Sequence, residues 1–505
     1  MASLLEWKGK QEAYQEYQKI IDDRDLEPFQ AIEFVRPSNS NNTIENWHNL
    51  LFLGDNKLVM AQLLKKFAGK VNLIYIDPPF ATGSEFNYKI QIGEGKESKK
   101  SSKWVRKQAY ADSWKNGIES YLSFLYKRLL LMKDLLSEEG SIYVHLDWHI
   151  GHYIKVMMDE IFGDNNFRNE IVWAYPAASV QTKKFYVRSF DVILYYTKSD
   201  NYTFNDDPEI YMEYSDRVKN SLNKDDKGFF YYRGGSHDGK KLSQKVYVKK
   251  TGVFPRDVWT DVPYIRANTL EYQGFSTQKP ERLLKRILLA STNENDLVAD
   301  FFCGSGTTLV VAEKLNRRWI GSDVSNSTIH MVKKRLLRIS GSNDIREWKK
   351  KYNNETKAFK LMILPDNKLS FSKLTPFLAK DVNLKEELKS LDPPSVDLRI
   401  IKEGKKIIVE LKDYVVPYIN LLSPEIRQNI KKFSDWIDYW AIDFDYNIPQ
   451  KFQVQWVSLR TPQSRNLELY SKSHKYDLSG PHIIMVHLVD FCGVETRWML
   501  KVNVE

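Results

Sequence analysis

The residues best suited to chemistry form the segment Asp77-Pro78-Pro79-Phe80, which follows an apolar run at residues 71–76. The run is typical of a buried strand, and the two prolines must end it because they lack a backbone N–H donor. The segment therefore places a carboxylate, a rigid backbone carbonyl and an aromatic ring at a strand tip. We therefore expect something to be held at this strand tip.

A second segment, LVADFFCGSGTTLVVAEKL, joins a strand that ends in Asp300 to a glycine-containing turn and a helix. Gly304 and Gly306 would let the backbone approach a ligand at the helix N-terminus, although a tight turn also needs glycine. The next strand, RRWIGSDVS, ends in Asp323, placed as an acid that binds ribose hydroxyls would be. The sequence contains no GxxxxGK[ST] phosphate loop, which disfavours ATP hydrolysis.

Together the two segments resemble the motifs of the amino-group DNA methyltransferases, which transfer methyl from S-adenosylmethionine to an exocyclic nitrogen. The order, with the catalytic motif first and a recognition region in between, is similar to the beta class, including the modification subunits of type III restriction systems. The resemblance covers residues 45–340 and extends to the segments TGSEFNY, DVWTDVP and GFSTQKPERLLKRIL. Phe80 stands where the family more often has tyrosine; it keeps the π face and lacks the hydroxyl.

The resemblance implies a role for each motif. A base is flipped out of duplex DNA, Asp77 and Pro78 accept hydrogen bonds from its amine on the rigid turn made with Pro79, and Phe80 stacks on its ring. The cofactor-binding residues it implies are Asp300, Phe302, Gly304, Gly306 and Asp323, together with Thr277, Gln278, Lys279 and Pro280.

Asp77, the first residue of the tetrad Asp77-Pro78-Pro79-Phe80, bears on which base is methylated. An aspartate resembles the N6-adenine enzymes, whereas N4-cytosine enzymes of this family often carry serine, so adenine N6 is expected and cytosine N4 is the alternative. Carbon-5 methylation needs a nucleophilic cysteine, and neither Cys303 nor Cys492 follows a proline. We therefore predict a site-specific N6-adenine methyltransferase of a restriction-modification system.

The elements that must position these residues alternate between helix and strand. Helical spacing at residues 118–136, for example, is followed by the strand-like segments SIYVHLD, NEIVWAY and DVILYYT. This alternation predicts an α/β fold with a doubly wound, mostly parallel sheet, Rossmann-like in its resemblance to methyltransferases. Short aromatic segments interrupt it at residues 200–262, which we interpret as a target-recognition insertion.

Three regions are predicted along the 505 residues. Residues 1–44 form an N-terminal helix and linker, and residues 45–340 form the catalytic domain. Residues 345–505 lack helical periodicity in most segments, such as EGKKIIVELKDY, and predict a strand-rich accessory domain. The sequence does not indicate whether this last domain contacts DNA or protein.

The composition suits binding to double-stranded DNA. The net charge is +10, and 13 Trp, 28 Tyr and 25 Phe provide flat side chains for base stacking. Residues 95–107 carry six basic residues and predict a mobile loop that tracks phosphates. Residues 229–233 (FFYYR) could contact bases or form a small core.

Two cysteines are too few for a disulfide framework, and no apolar run approaches the roughly 20 residues of a membrane span. A cytoplasmic protein with no membrane role is therefore expected. The type III resemblance implies a homodimer and a separate ATP-driven restriction subunit as partners. A solitary enzyme fits the sequence equally well.

Two groups of residues could suggest metal chemistry. His145, Asp147, His149 and His152 lie in VHLDWHIGH, but methyl transfer needs no metal, and no metal site is predicted. Asp397, Glu410 and Lys412 have the spacing of a metal-dependent nuclease, which makes a methyltransferase-nuclease fusion a further alternative. Exposed hairpins produce that spacing often by chance.

Overall fold

The computed structural model describes most of the chain. The described residues are 4–23, 26–35, 47–83, 85–94, 104–114, 117–175, 184–234, 236–237, 240–241, 244–248, 252–364, 377, 392–447 and 451–505. No helix among them is both long and apolar enough to cross a membrane.

Helices and strands alternate in the first part of the chain, and strands predominate towards its end. The α-helices of the described residues are α1 (Lys10–Asp22), α2 (Asn56–Phe67), α3 (Ile118–Leu135), α4 (Gly151–Phe162), α5 (Asp216–Asn220), α6 (Glu281–Ser291), α7 (Thr307–Lys314), α8 (Asn326–Leu337) and α9 (Pro424–Arg427). The strands up to the insertion are β1 (Gln30–Val35), β2 (Asn49–Leu53), β3 (Val71–Ile76), β4 (Glu85–Gln91), β5 (Trp104–Ala111), β6 (Leu136–Leu146), β7 (Phe167–Ala174) and β8 (Phe190–Thr197). The next strands are β9 (Asn223–Asp225), β10 (Gly228–Arg233), β11 (Ser236–His237), β12 (Lys240–Lys241), β13 (Gln244–Tyr247), β14 (Val258–Trp259), β15 (Leu297–Asp300), β16 (Arg318–Asp323) and β17 (Phe359–Ile363). The last are β18 (Ser395–Glu403), β19 (Lys406–Val415), β20 (Ile437–Asp443), β21 (Phe452–Val454), β22 (Trp456–Leu459), β23 (His474–Lys475), β24 (Gly480–Asp490) and β25 (Glu495–Val504).

A central sheet of eleven strands carries the fold, in the order β14-β7-β8-β6-β3-β15-β16-β2-β17-β1-β21. The run from β6 to β17 is parallel throughout, while β8 pairs antiparallel with both β6 and β7. Helices cover both faces of the sheet, so alternate residues of β3 pack into two different cores. Leu73 and Tyr75 pack with α6 and α7, whereas Ile74 and Ile76 pack with α2, α3 and α4. The prediction of a doubly wound, mostly parallel sheet is confirmed.

The centre of this sheet has the topology that favours a ligand site. Strand β3 has β6 on one side and β15 on the other, so the chain crosses over in opposite directions from adjacent strands. In open parallel sheets such a point leaves a crevice beyond the carboxyl ends of the strands. Asp77, Asp300 and Asp323 lie at or just after the carboxyl ends of β3, β15 and β16.

Segments outside the predicted catalytic limits complete the central sheet. Strand β17 pairs with β2, β1 pairs with β17, and β21 pairs with β1. The predicted limits of 45 and 340 therefore leave three sheet strands outside. The limits are set from local periodicity, which cannot reveal that strands distant in sequence pair at the edge of the sheet. The division into three domains remains a prediction.

The C-terminal region is rich in strands, as expected from its sequence texture. Strands β18, β19 and β23 form one sheet, and β22, β20, β24 and β25 form another. They enclose a third core that includes Trp440 and Val486.

Helix α8 joins the cofactor side of the central sheet to this C-terminal region. The side chain of Lys333 pairs with Glu33 of β1 at 3.0 Å, and both are almost completely buried. The side chain of Lys334 pairs with Asp438 of β20 at 2.5 Å, and His330 Nε2 lies 3.0 Å from the same carboxylate. We call this group of ion pairs the junction.

The structure revises the prediction for the basic segment and shows both buried and exposed rings in the aromatic one. Of the predicted loop at residues 95–107, residues 95–103 lie outside the described residues, while 104–107 form part of β5, paired with β4. The prediction of a mobile loop over the whole segment is therefore wrong. The many basic residues give no apolar alternation from which a hairpin strand could be predicted. In the insertion, Phe230 is buried against Tyr232 and Tyr247, whereas Phe229 and Tyr232 are exposed.

Candidate active site

Asp77 and Lys279 meet at the tip of β3. The Lys279 Nζ donates to Asp77 Oδ2 at 2.6 Å, and the two side chains are 19% (Asp77) and 10% (Lys279) exposed. Lys279 belongs to the segment that precedes α6 and lies 202 residues further along the chain. Two stretches that sequence analysis assigned separately, one to catalysis and one to the cofactor, are therefore parts of one site.

The turn that carries Phe80 is fixed by a residue that sequence analysis missed, Asp112. Its carboxylate accepts hydrogen bonds from the backbone N–H groups of Phe80, Ala81 and Thr82 at 3.1, 2.9 and 2.8 Å. It also accepts one from the indole N–H of Trp114 at 3.0 Å. Asp112 is fully buried, and Ala81 has a φ of +56°, so the carboxylate stabilises a turn that the backbone alone disfavours. No motif in the sequence marks Asp112, which follows β5 with no glycine or proline beside it.

The ring of Phe80 lies over a buried histidine. The ring centroids of Phe80 and His145 are 6.2 Å apart, and their planes differ by 18°. His145 is held on both sides, at 2.9 Å from the hydroxyl of Tyr75 and at 3.1 Å from Asp191 Oδ2. The imidazole is thus a fixed support beneath the aromatic residue of the tetrad.

The other candidate metal ligands of VHLDWHIGH do not pair with His145. Asp147 Oδ2 lies 2.6 Å from His149 Nδ1, and His152 is exposed on α4. Within the part of the chain that the structure describes, no cluster of three or more histidine, cysteine or acidic side chains could hold a metal ion.

The turn after β15 is organised by Asp300. Its buried carboxylate accepts hydrogen bonds from the backbone N–H of Phe302 at 3.0 Å and from the hydroxyl of Thr308 at 2.6 Å. Burial, and less strongly the neighbouring Asp77 and Asp323, raise the pKa of Asp300 to about 7. The carboxylate therefore ties the end of the strand to the first turn of α7.

Two glycines allow the turn to close. Gly304 and Gly306 have φ values of +47° and +76°, which side chains rarely adopt. A Cβ at Gly306 would lie 3.0 Å from two methyl groups of Val332, so α7 could not pack as closely on α8. Thr307 begins α7, and its hydroxyl donates to the carbonyl of Lys279 at 3.0 Å, which links the cofactor turn to the segment that pairs with Asp77.

Asp323 lies at the end of β16 beside this turn. It accepts hydrogen bonds from the backbone N–H groups of Gly304 and Ser325 at 3.2 and 2.9 Å. Burial raises the pKa of Asp323 to about 6. No lysine or arginine pairs with Asp323 among the described residues, which leaves its charge available to a ligand.

A cleft of about 280 Å³ connects these groups. The predicted residues that line it are Asp77, Pro79, Thr277, Phe302, Gly304 and Asp323. Of the others, Gln278 is buried with its side chain hydrogen-bonded to the backbone of Glu271 and Gln273, Pro280 precedes α6, and Asp300 and Gly306 shape the turn. The cleft thus runs from the catalytic tetrad to the acid at the end of β16.

One wall of the cleft was not predicted. Arg128 of α3 donates to Asp55 Oδ1 at 2.8 Å and to Asn56 Oδ1 at 2.6 Å, while Asn56 donates to the carbonyl of Phe301 at 2.7 Å. The Arg128 guanidinium also lies 3.6 Å from the centroid of Phe124. A signal was present in the sequence, because Asp55 follows the end of β2 as Asp77 follows β3.

The residues of the nuclease alternative have other partners. The hydroxyl of Tyr470 donates to Glu410 at 2.7 Å, and Arg399 lies 3.7 Å from the same carboxylate. Asp397 and Lys412 are exposed on β18 and β19, and Asp397 faces Asp413 across the hairpin. The pattern therefore corresponds to an exposed strand pair.

Comparisons with known proteins agree on one family. The family model for N6 and N4 methylases, described as DNA methylase, matches residues 71–334. A type II methyltransferase, M.EcaI of Enterobacter cloacae, is 30% identical over 331 residues, which cover 57% of this chain and 69% of the relative. The DNA adenine methyltransferase YhdJ of Escherichia coli is 31% identical over 278 residues, covering 55% and 80%.

Two further similarities are weaker. The probable type III restriction-modification enzyme HindVI Mod subunit of Haemophilus influenzae is 23% identical over 511 residues, covering 75% of this chain and 65% of that relative. Among solved structures, the complex of M1.HpyAVI with SAM has a TM-score of 0.33 at 18% identity, covering 57% of this chain and 98% of the other.

Proposed function

The chain belongs to the DNA methylase family, and we propose that it transfers a methyl group from S-adenosylmethionine to N6 of an adenine in duplex DNA. The single observation that carries this proposal is the cleft, which Asp77 and Asp323 both line. An acceptor for the target amine and an acceptor for the cofactor thus share one space at the switch point of a parallel sheet.

The lining of the cleft fits S-adenosylmethionine. Its charged residues are three acids, Asp55, Asp77 and Asp323, and one cation, Arg128, whose guanidinium is already paired with Asp55. Aromatic rings of Trp114, Phe124, Phe275 and Phe302 supply flat apolar surface for an adenine ring. When bound, the cofactor supplies a methyl group on a sulfonium centre, and the excess of acids suits that positive charge.

Within the cofactor site, each residue of the turn has a separate task. We assign Asp323 to the ribose hydroxyls, because its carboxylate is partnered only by backbone N–H groups among the described residues. Gly304 keeps the turn free of a side chain where it lines the cleft. Asp300, Gly306 and the segment Thr277 to Pro280 hold these groups in place from behind or beside the wall.

At the tip of β3, Asp77 and Pro78 act on the amine. The lone pair of adenine N6 is delocalised into the ring, so attack requires the nitrogen to become tetrahedral. Acceptors on both amino hydrogens favour that geometry and stabilise the positive charge that develops. The Asp77 carboxylate supplies one acceptor and the Pro78 carbonyl the other, while Phe80, supported by His145, stacks on the flipped base.

Lys279 prepares Asp77 for this role. Its ammonium group donates a hydrogen bond to Asp77 Oδ2 at 2.6 Å, which fixes the orientation of the carboxylate. Among the described residues Asp77 Oδ1 accepts no hydrogen bond, so this oxygen is available to the amine of the base. Lys279 is thus a positioning residue for the acceptor.

Adenine is favoured over cytosine by two observations. The tetrad begins with Asp77, as in the N6-adenine enzymes that it resembles, and the chain is 31% identical to a protein named as a DNA adenine methyltransferase. The experiment is to incubate the protein with methyl-labelled S-adenosylmethionine and duplex DNA and to digest the product to nucleosides. We expect the label in N6-methyl-2′-deoxyadenosine; label in N4-methyl-2′-deoxycytidine, or none in DNA, would overturn the proposal.

We also propose that the protein is the modification component of a restriction system. The similarity to a type III Mod subunit supports this, since it extends over 75% of the chain, including parts of the C-terminal region. A homodimer and a separate restriction subunit are the partners that this role implies. Light scattering of the purified protein should give twice the mass of one chain; the mass of one chain would favour the solitary enzyme.

A further inference from the structure

Three large aromatic side chains are exposed beside the catalytic turn. Phe185 and Tyr186, in the segment before β8, are 58% and 98% exposed, and Trp148, after β6, is 46% exposed. Together with Arg188 we call them the aromatic rim. Exposed apolar groups that lie close together in a soluble protein commonly mark an interaction surface.

The aromatic rim is an ordered group. The guanidinium carbon of Arg188 lies 3.8 Å from the ring centroid of Trp148 and 5.2 Å from that of Phe185. On its other side Trp148 packs on His149, at 3.7 Å between ring centroids. A cation between two rings is therefore held in place, and Tyr186, which follows Phe185 in the chain, is almost fully exposed.

Both chain segments of the aromatic rim lie close in sequence to the residues that support Phe80. Trp148 follows His145 by three residues, and Arg188 precedes Asp191 by three. His145 and Asp191 pair at 3.1 Å, and His145 lies beneath Phe80. The rim therefore borders the place where Phe80 would stack on a flipped base.

The chemistry of this surface matches nucleic acid. Aromatic rings stack on any base, and arginine binds both phosphate and the faces of rings. Base flipping removes stacking on both neighbours of the target, and an inserted side chain can replace part of it. An acidic or lipid partner would use the charge but would not require flat rings beside the catalytic turn.

We propose that the aromatic rim stacks on the DNA bases next to the flipped nucleotide, with Tyr186 entering the space that the target base vacates. This inference rests on the proposed function, because it presumes base flipping from a duplex. It assigns to the rim the stabilisation of the opened duplex, separate from the chemistry at Asp77.

The test compares Tyr186→Ala with Tyr186→Trp in the full chain. On fully paired duplex DNA, Tyr186→Ala should lower kcat/KM by about tenfold, the loss of one base–aromatic stacking contact, and Tyr186→Trp should retain activity. Binding of S-adenosylmethionine, measured by calorimetry, should be unchanged in both. Trp498→Ala is the matched control, since Trp498 is 42% exposed on β25 in the C-terminal sheet, and its removal should leave kcat/KM unchanged.

A second substrate separates this inference from the proposed function. DNA that carries the target adenine opposite an abasic site leaves that adenine unpaired, so flipping costs less. On this substrate Tyr186→Ala should come within about twofold of the unchanged protein. Full activity of Tyr186→Ala on paired DNA, or an equal loss on both substrates, would overturn the role of the rim. Failure of the unchanged protein to methylate either DNA would instead overturn the proposed function.

Discussion

The acidic side chains of the cofactor turn and those of the junction have different surroundings. At the cofactor turn, Asp300 and Asp323 accept hydrogen bonds from backbone N–H groups and a hydroxyl, with no basic side chain paired to either among the described residues. At the junction, Glu33 and Asp438 are paired with Lys333 and Lys334.

The pKa values move in opposite directions in the two regions. Burial raises the pKa of Asp300 to about 7 and that of Asp323 to about 6. Burial acts in the same sense on Glu33 and Asp438, but the adjacent lysines and histidines outweigh it and lower both pKa values. Among the described residues, Asp300 and Asp323 thus have no cationic partner, whereas Asp77 and Asp55 of the same cleft have one. The acids of the junction pair with lysines that hold separate elements together.

The largest expected effect concerns Asp77 at the tip of β3. Asp77→Ala removes the acceptor for the target amine and should lower methyl transfer by about 10³-fold or more. Cofactor binding should persist, because the turn after β15 does not depend on this side chain. Methyl-labelled cofactor and duplex DNA give the rate, and calorimetry gives the affinity.

Asp397→Ala provides the matched control for that prediction. Asp397 is an exposed aspartate on β18, and its removal should leave methyl transfer unchanged. Substantial activity in Asp77→Ala would contradict the catalytic assignment of Asp77.

At the junction the expected effect is on stability. Lys333→Met leaves Glu33 buried without its lysine partner, although the hydroxyl of Tyr439 still donates to it at 3.3 Å. The loss should lower the free energy of unfolding by about 3 kcal/mol in urea titrations. The double variant Glu33→Gln, Lys333→Met should recover much of the loss, because no charge remains buried. The exposed pair of Lys350 and Glu347 is the control, and Lys350→Met should change stability by less than about 0.5 kcal/mol. A loss of cofactor affinity without a loss of stability would show that the two regions are not distinct.

Asp112 represents a third environment, in which backbone N–H groups of the catalytic turn donate hydrogen bonds to a buried carboxylate. Asp112→Asn weakens several charge-assisted hydrogen bonds to residues 80–82 and should raise the barrier to methyl transfer by about 2 kcal/mol, a loss of about thirtyfold. Pre-steady-state methylation of duplex DNA measures this step. An unchanged rate would mean that the turn keeps its shape without the carboxylate.

The smallest effect is the pH dependence of cofactor binding. In the free protein the raised pKa of Asp323, about 6, favours the protonated acid, so its contribution to stability is greatest at low pH and declines as pH rises through that value. Binding to ribose hydroxyls needs the carboxylate, so affinity has the opposite dependence and should fall about tenfold between about pH 7.5 and pH 5. Asp323→Asn should bind more weakly at pH 7.5 and lose most of this dependence in calorimetric titrations. An equal dependence in both proteins would assign it to another group.

Sequence reasoning located the strand-tip acids because their signal is local. Asp77, Asp300 and Asp323 each follow an apolar run, and adjacent parallel strands bring their carboxyl ends together. It missed Asp112, whose importance lies in hydrogen bonds to a turn about thirty residues earlier, and Arg128, an ordinary helix residue by periodicity. It also assigned residues 104–107 to a loop, since basic residues concealed the alternation of β5.

The parallel sheet, the order of its catalytic and cofactor motifs and the acids at its strand tips follow from the sequence alone, because periodicity, proline and glycine act on the nearest residues of the chain. Which of these acids receives a cation depends on the tertiary structure. Lys279 reaches Asp77 across 202 residues, and Lys333 reaches Glu33 across 300. Such pairings depend on how distant segments pack, and a charged residue in the sequence carries no mark of the partner that burial will give it.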